Sequence, residues 1–154
     1  MNLRIKLLTE QNKYFEEICE WNYMWWGLER GREKVAEYIG RCLNKKIPLT
    51  YIAVDGDDEK VVGMYQIVMN DDVNIRPDYY PWVANVFVKE TYRNRGICDK
   101  LMKHAQCVFQ ELGYSKVYLY SEHEGLYEKY GWKLIETVTN FDGAYNRIFE
   151  YNVH

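Results

Sequence analysis

The chain has 154 residues, 47% of them hydrophobic and 28% charged, with a formal net charge of −3. That length reads as one domain, residues 1–154, with a full hydrophobic core. The acidic balance argues against a general nucleic-acid binder, which normally carries a basic face, and no apolar run approaches the ~20 residues needed to cross a bilayer.

Alternation from Leu3 to Leu7 reads as a first strand. Residues 11–26 read as a helix with Phe15, Ile18, Cys19, Asn22 and Trp26 along one side, interrupted by Gly27. A second helical stretch, 31–44, places Val35, Tyr38, Ile39 and Cys42 at helical spacing. Pro48 leads into a strand at 49–54, and Asp55-Gly56-Asp57-Asp58 signals a hairpin. The return strand runs over 60–69, where Gly63 marks a bulge or a close backbone approach. After a polar loop, residues 70–78, comes a strand at 81–88. The helix predicted over 96–112 aligns Ile97, Leu101, Ala105, Val108 and Leu112, and Gly113 stops it. A strand at 116–121, a short helix at 123–130 and two strands at 132–138 and 144–152 follow, the last two joined by a turn at Asn140-Phe141-Asp142-Gly143.

The stretch Val86-Phe87-Val88-Lys89-Glu90-Thr91-Tyr92-Arg93-Asn94-Arg95-Gly96-Ile97-Cys98 is the most informative. A strand end, a basic glycine-bearing turn and a helix N-terminus in succession offer free backbone N–H groups and a positive dipole end, which suits a phosphate or pyrophosphate. Arg93, Arg95, Lys100 and Lys103 add local positive charge to an acidic chain. Neither G-x-x-x-x-G-K-[ST] nor G-x-G-x-x-G is present. The alternative is an ordinary strand–turn–helix with solvated arginines.

Arg93, Gly96 and Cys98 occupy the fixed places of Q/R-x-x-G-x-G/A, so the turn resembles the coenzyme A loop of the GCN5-related N-acetyltransferases (GNAT). Cys98 is larger than the Gly or Ala of that pattern. Gly125-Leu126-Tyr127-Glu128-Lys129-Tyr130-Gly131-Trp132 resembles a second signature of the family, aromatic–x–lysine–x–glycine–aromatic. The order β-α-α-β-β-β-α-β-α-β-β matches the family fold along almost the whole chain. The resemblance therefore implies an α/β (α+β) GNAT fold: a mixed, mostly antiparallel twisted sheet, flanking helices, and a splayed parallel pair formed by strands 81–88 and 116–121.

Acetyl transfer to an amine requires an anchored acetyl-CoA, a neutral amine and a proton for the departing thiolate. By resemblance, the backbone of Val86, Phe87 and Val88 pairs with the pantetheine arm. The turn Arg93, Asn94, Arg95, Gly96, Ile97 and Cys98 takes the pyrophosphate. Tyr127 corresponds to the family's general acid. Trp82 stands where histone-type members carry a catalytic glutamate, which leaves His123, Glu122, Asp71, Asp72 or a water chain as the base; His123 is the candidate whose residue type is most often used for that role. Tyr23, Trp25 and Trp26 either line an acceptor slot or fill the core.

The implied activity is transfer of acetyl from acetyl-CoA, the sole cofactor, to a primary amine. A small-molecule acceptor is read first and a protein or peptide amine second. The rival from another class is a catalytically silent acyl-CoA-binding regulatory domain. An acetylating toxin acting on charged tRNA is disfavoured by the acidic balance. No metal is expected, since Cys19, Cys42, Cys98 and Cys107 show no C-x-x-C pairing. A reduced cytoplasmic setting is the simplest account. The N-terminus lacks the features of a signal peptide, and no membrane or nucleic-acid partner is expected. Dimers are common in the family, so homodimerisation is open.

Overall fold

A computed structural model describes residues 1–8, 13–41, 47–69, 76–139, 143 and 145–153. The elements are β1 (Leu3–Leu7), α1 (Phe15–Asn22), a π-helical turn (Tyr23–Gly27), α2 (Arg32–Arg41), β2 (Leu49–Asp55), β3 (Lys60–Val68) and β4 (Trp82–Val88). After these come a 3₁₀ turn (Glu90–Tyr92), α3 (Ile97–Leu112), β5 (Lys116–Ser121), a second 3₁₀ turn (Tyr127–Tyr130), β6 (Lys133–Thr139) and β7 (Tyr145–Asn152). The seven strands form one sheet in the order β1-β2-β3-β4-β5-β7-β6, antiparallel throughout except for β4 and β5. The predicted architecture is therefore the observed one.

Strand alternation sends successive side chains to opposite faces, and each face receives its own helices. Ile18 of α1 and Val35 and Ile39 of α2 pack on Ile52, Val54 and Met64. On the other face α3 lays Ile97, Leu101, Met102, Ala105 and Phe109 on Ala53, Tyr65, Val83 and Leu119. Tyr65, wholly buried, is hydrogen-bonded to His104 Nδ1 at 2.8 Å. Burial raises the phenol and lowers the imidazole, so both are neutral at pH 7. This hydrogen bond pins α3 to β3.

Three predicted details differ. Leu112, expected on the buried stripe of α3, is 39% exposed, while Met102 and Phe109 are buried; Leu112 shares the face of Leu101 and Val108 but is the last residue of α3, at the end of its packed length. The predicted helix at 123–130 is only the 3₁₀ turn 127–130, because Gly125 takes φ +80° and breaks the run. The predicted helix at 11–26 gives way to the π-helical turn after Asn22. Cys42, Asp71, Asp72 and residues 140–142 of the predicted turn lie outside the described residues.

Gly63 is a close-approach position. It faces Val88 in the β3–β4 register, and a Cβ there would stand 2.9 Å from the Phe87 carbonyl oxygen and 3.3 Å from Leu101 Cδ1. Gly63→Val is therefore expected to destabilise the protein by about 1–3 kcal/mol, the usual range for overpacking, read as a lower urea midpoint at unchanged m-value. A midpoint equal to wild type would mean that β4 yields freely at Phe87.

Candidate functional site

The site is built where β4 leaves β5. Parallel pairing between them is limited to Trp82↔Tyr118 and Val83↔Leu119. Beyond Val83 the β4 backbone has a partner only on its β3 side. The cause is a bulge: Met64 faces Phe87 while Gln66 faces Ala84, so Ala84–Phe87 holds one residue more than the stretch opposite. Asn85 lies in that bulge at φ +52°, a left-handed conformation that Asn tolerates better than other side-chain-bearing residues. Val86, Phe87 and Val88 continue the strand, all half-buried. Val86 and Val88 pack on the α3 side, whereas Phe87 meets Trp21 and Trp25, its ring centroid 4.8 and 5.7 Å from theirs.

The open strand edge runs directly into the turn. Arg93 Nε donates to the Val88 carbonyl at 3.1 Å, and the Arg95 guanidinium lies 5.0 Å from the centre of the Tyr92 ring. Asn94 and Gly96 take φ +61° and +76°. Gly96 caps α3 with no side-chain hydrogen bond, and the first helical bond is Lys100 N–H to the Gly96 carbonyl at 3.2 Å. The amides of Ile97, Cys98 and Asp99 thus have no intrahelical acceptor. A Cβ on Gly96 would meet nothing within 4 Å, and residues 93–96 are exposed. An open turn with helix amides that lack intrahelical acceptors and with two exposed arginines is the kind of place an anion such as pyrophosphate could occupy. Lys103 contributes less than its position in the sequence suggests, since it is paired with Asp99 at 2.7 Å.

The 3₁₀ turn after β5 borders the same helix N-terminus. The Tyr130 carbonyl accepts from Gln106 Nε2 of α3 at 3.1 Å, and the Tyr130 hydroxyl is hydrogen-bonded to the Cys98 thiol. Burial, together with that thiol, pushes Tyr130 up to about 12. Tyr127 is 6% exposed; burial raises its phenol too, with the Cys98 thiol adding to the effect, while a hydrogen bond to the Ser121 hydroxyl opposes it. Ser121 Oγ also accepts the His123 backbone N–H at 3.1 Å. Tyr127 and His123 are therefore linked through Ser121, a residue the sequence did not single out. His123 and Glu122 are exposed, and the Glu122 carbonyl accepts from Arg147 at 2.9 Å. Trp82, in the glutamate position, is wholly buried and donates to the Tyr79 carbonyl at 2.6 Å.

Tyr23, Trp25 and Trp26 form the π-helical turn. Trp25 is 60% and Trp26 42% exposed, so they do not fill the core; Tyr23 stacks beneath Arg32, 4.1 Å from its ring centre. Among the described residues no group of three or more His, Cys, Asp or Glu comes together. No helix among them is long and apolar enough to cross a membrane.

The family model for the acetyltransferase (GNAT) domain matches residues 46–134, more than half of the chain. The chain belongs to the GNAT family. No curated protein matches it significantly. Among solved structures, an aminoglycoside 6′-N-acetyltransferase complexed with coenzyme A is similar at TM-score 0.75 and 16% identity, over 98% of this chain and 97% of that one. A spermidine N-acetyltransferase chimera from Vibrio cholerae and hSSAT gives 0.74 and 14%, over 99% and 96%. NAA60 of Arabidopsis thaliana in complex with acetyl-CoA gives 0.72 and 17%, over 99% and 100%. At these identities the likeness concerns the fold.

The thiol of Cys98 offers a direct check on this corner of the GNAT domain. Burial raises its pKa, and the Tyr130 hydrogen bond offsets this only in part. Since the thiolate is the reactive form, the half-buried Cys98 is expected to react with iodoacetamide at pH 7.5 more slowly than the exposed Cys107. Tyr130→Phe removes the bond that favours the thiolate and should slow Cys98 further; faster labelling by peptide mass spectrometry would place the hydroxyl elsewhere.

Proposed function

We propose that this GNAT domain transfers acetyl from acetyl-CoA to a primary amine, with a small molecule as acceptor. The observation that carries the reading is continuity: the unpaired β4 edge after Val83 leads straight into the uncapped N-terminus of α3 at Gly96. The backbone of Val86, Phe87 and Val88 would hold the pantetheine arm as an added strand. The amides and charges of Arg93, Asn94, Arg95, Gly96, Ile97 and Cys98 would hold the pyrophosphate. Acetyl-CoA supplies the activated acyl group, and the protein supplies position and proton transfer.

Tyr127 is the proposed acid that returns a proton to the departing sulfur. Its raised pKa supports the role in one respect: the phenol keeps its proton throughout the neutral range, so the acid form is always present. A loss of rate due to its ionisation belongs above pH 10. His123 is the proposed base; its backbone N–H is held by Ser121, the residue hydrogen-bonded to Tyr127, so the two residues lie at the same end of β5. The small-molecule acceptor draws support from the similar aminoglycoside and spermidine enzymes, and the likeness to a NatC complex bound to Gag peptide and CoA makes a peptide amine the comparison arm.

The test is release of free CoA thiol from acetyl-CoA in the presence of kanamycin, spermidine or an N-terminal peptide. Turnover with a small amine is expected. CoA binding without turnover across a broad amine panel would favour the silent acyl-CoA-binding domain. With an accepted amine, Tyr127→Phe should lower kcat by about 10²–10⁴-fold, the usual range for general acid catalysis, with acetyl-CoA affinity little changed. Tyr130→Phe should retain most of the rate, and wild-type turnover by Tyr127→Phe would remove the tyrosine from the mechanism.

Gly96→Glu tests the coenzyme end separately. It places a bulky negative side chain in the unfilled turn, so the rise in Tm that CoA produces by mass action should disappear while the unliganded Tm stays within a few degrees of wild type. An unchanged CoA-induced rise would move the pyrophosphate away from this turn.

A further inference from the structure

Beneath the bulge lies a polar row that packing alone does not require. Asn85 Nδ2 donates to Gln66 Oε1, and Gln66 Nε2 donates to Thr50 Oγ1 at 2.9 Å. Thr50 and Gln66 are each 0% exposed. Thr50 faces Gln66, and Gln66 faces Ala84, so the row crosses β2, β3 and β4 at one level of the sheet. Its neighbours along β2 and β3 on that face, Ile52, Met64 and Val68, are apolar. Buried polar groups need partners with correct geometry, so each member of the row fixes the next. Gln66 is engaged at both ends of its amide and cannot rotate without losing both bonds. The outer end of the row is the residue in left-handed conformation at the point where β4 departs from β5.

We propose that Thr50, Gln66 and Asn85 form a positioning relay that holds the β4 bulge, and hence the gap between β4 and β5, in the shape that receives the pantetheine arm of coenzyme A. The proposal rests on the coenzyme reading above. It differs from two simpler accounts: that Asn85 is there only because it tolerates a positive φ, and that Gln66 and Thr50 merely satisfy each other.

Asn85→Gly separates these accounts, because glycine keeps the left-handed backbone and removes only the side chain. Gln66→Met, close in volume and without the amide, breaks the row from the other side. Two readouts are taken on the full chain: amide hydrogen exchange of residues 84–87 without ligand, and CoA affinity by calorimetry. In both variants exchange at 84–87 should accelerate by well over tenfold relative to the rest of the sheet, as the fraction of correctly shaped molecules falls from nearly all to about a tenth. The apparent Kd for CoA should rise about tenfold for the same reason. A purely structural role would lower Tm without changing Kd. Wild-type exchange and Kd in Asn85→Gly would overturn the relay, and so would faster exchange with an unchanged Kd. A wild-type protein that binds no CoA would bring down the coenzyme reading, whereas unchanged local exchange would sink the relay on its own.

Discussion

The structure depends on one interrupted contact, the parallel pairing of β4 and β5. Two registered pairs bring the strands together at Trp82 and Val83, and then a single extra residue in β4 ends the ladder. A strand whose hydrogen-bonding groups face a gap is ordinarily a liability. Here the gap is bounded by α3 on one side and by the turn carrying Tyr127 on the other. In the proposed reading this unpaired backbone is where an extended ligand adds itself to the sheet. The bulge, the αL residue within it and the buried row behind it all serve to keep the two strands apart.

The coenzyme end and the chemical end of this gap are parts of one packed unit. Cys98 belongs to the first turn of α3, yet its thiol meets Tyr130 and influences Tyr127. Gln106, two turns further along α3, ties the Tyr130 carbonyl. The departure of Cys98 from the small residue of the loop pattern thus has a local physical correlate: its side chain is half-buried against a tyrosine rather than projecting into the turn. The arginine of the turn is anchored too, through its bond to the last β4 carbonyl.

The strands were legible because their alternation and turn signals agree, as at Leu3–Leu7 and around Asp55–Asp58. The loop and the Tyr127 segment stand out in the sequence by their resemblance to two family patterns set in the right order of strand, turn and helix. Asn85, Gln66 and Ser121 were not. A bulge is a mismatch between two strands, and one strand's sequence carries only half of it. An amide in the middle of an apolar run signals a polar contact without naming its partner. The glycine of the 123–130 segment carried a signal that was passed over, and the helix predicted there is a single 3₁₀ turn. For Tyr23, Trp25 and Trp26 the sequence leaves an acceptor slot and the core both open, and only the register of the π-helical turn, which leaves Trp25 and Trp26 exposed, removes the core for these two.

The strand order has a consequence for synthesis. β7 lies between β5 and β6, paired with both. While the chain emerges from the ribosome, β5 has only the short parallel ladder to β4 on one side and nothing on the other until residues 145–152 appear. Five strands and three helices therefore wait as an incomplete sheet with the hydrogen-bonding groups of β5 unpaired. The last of the seven strands in sequence is the one that closes the sheet, and the β5 floor beneath Tyr127 is finished only when it is made.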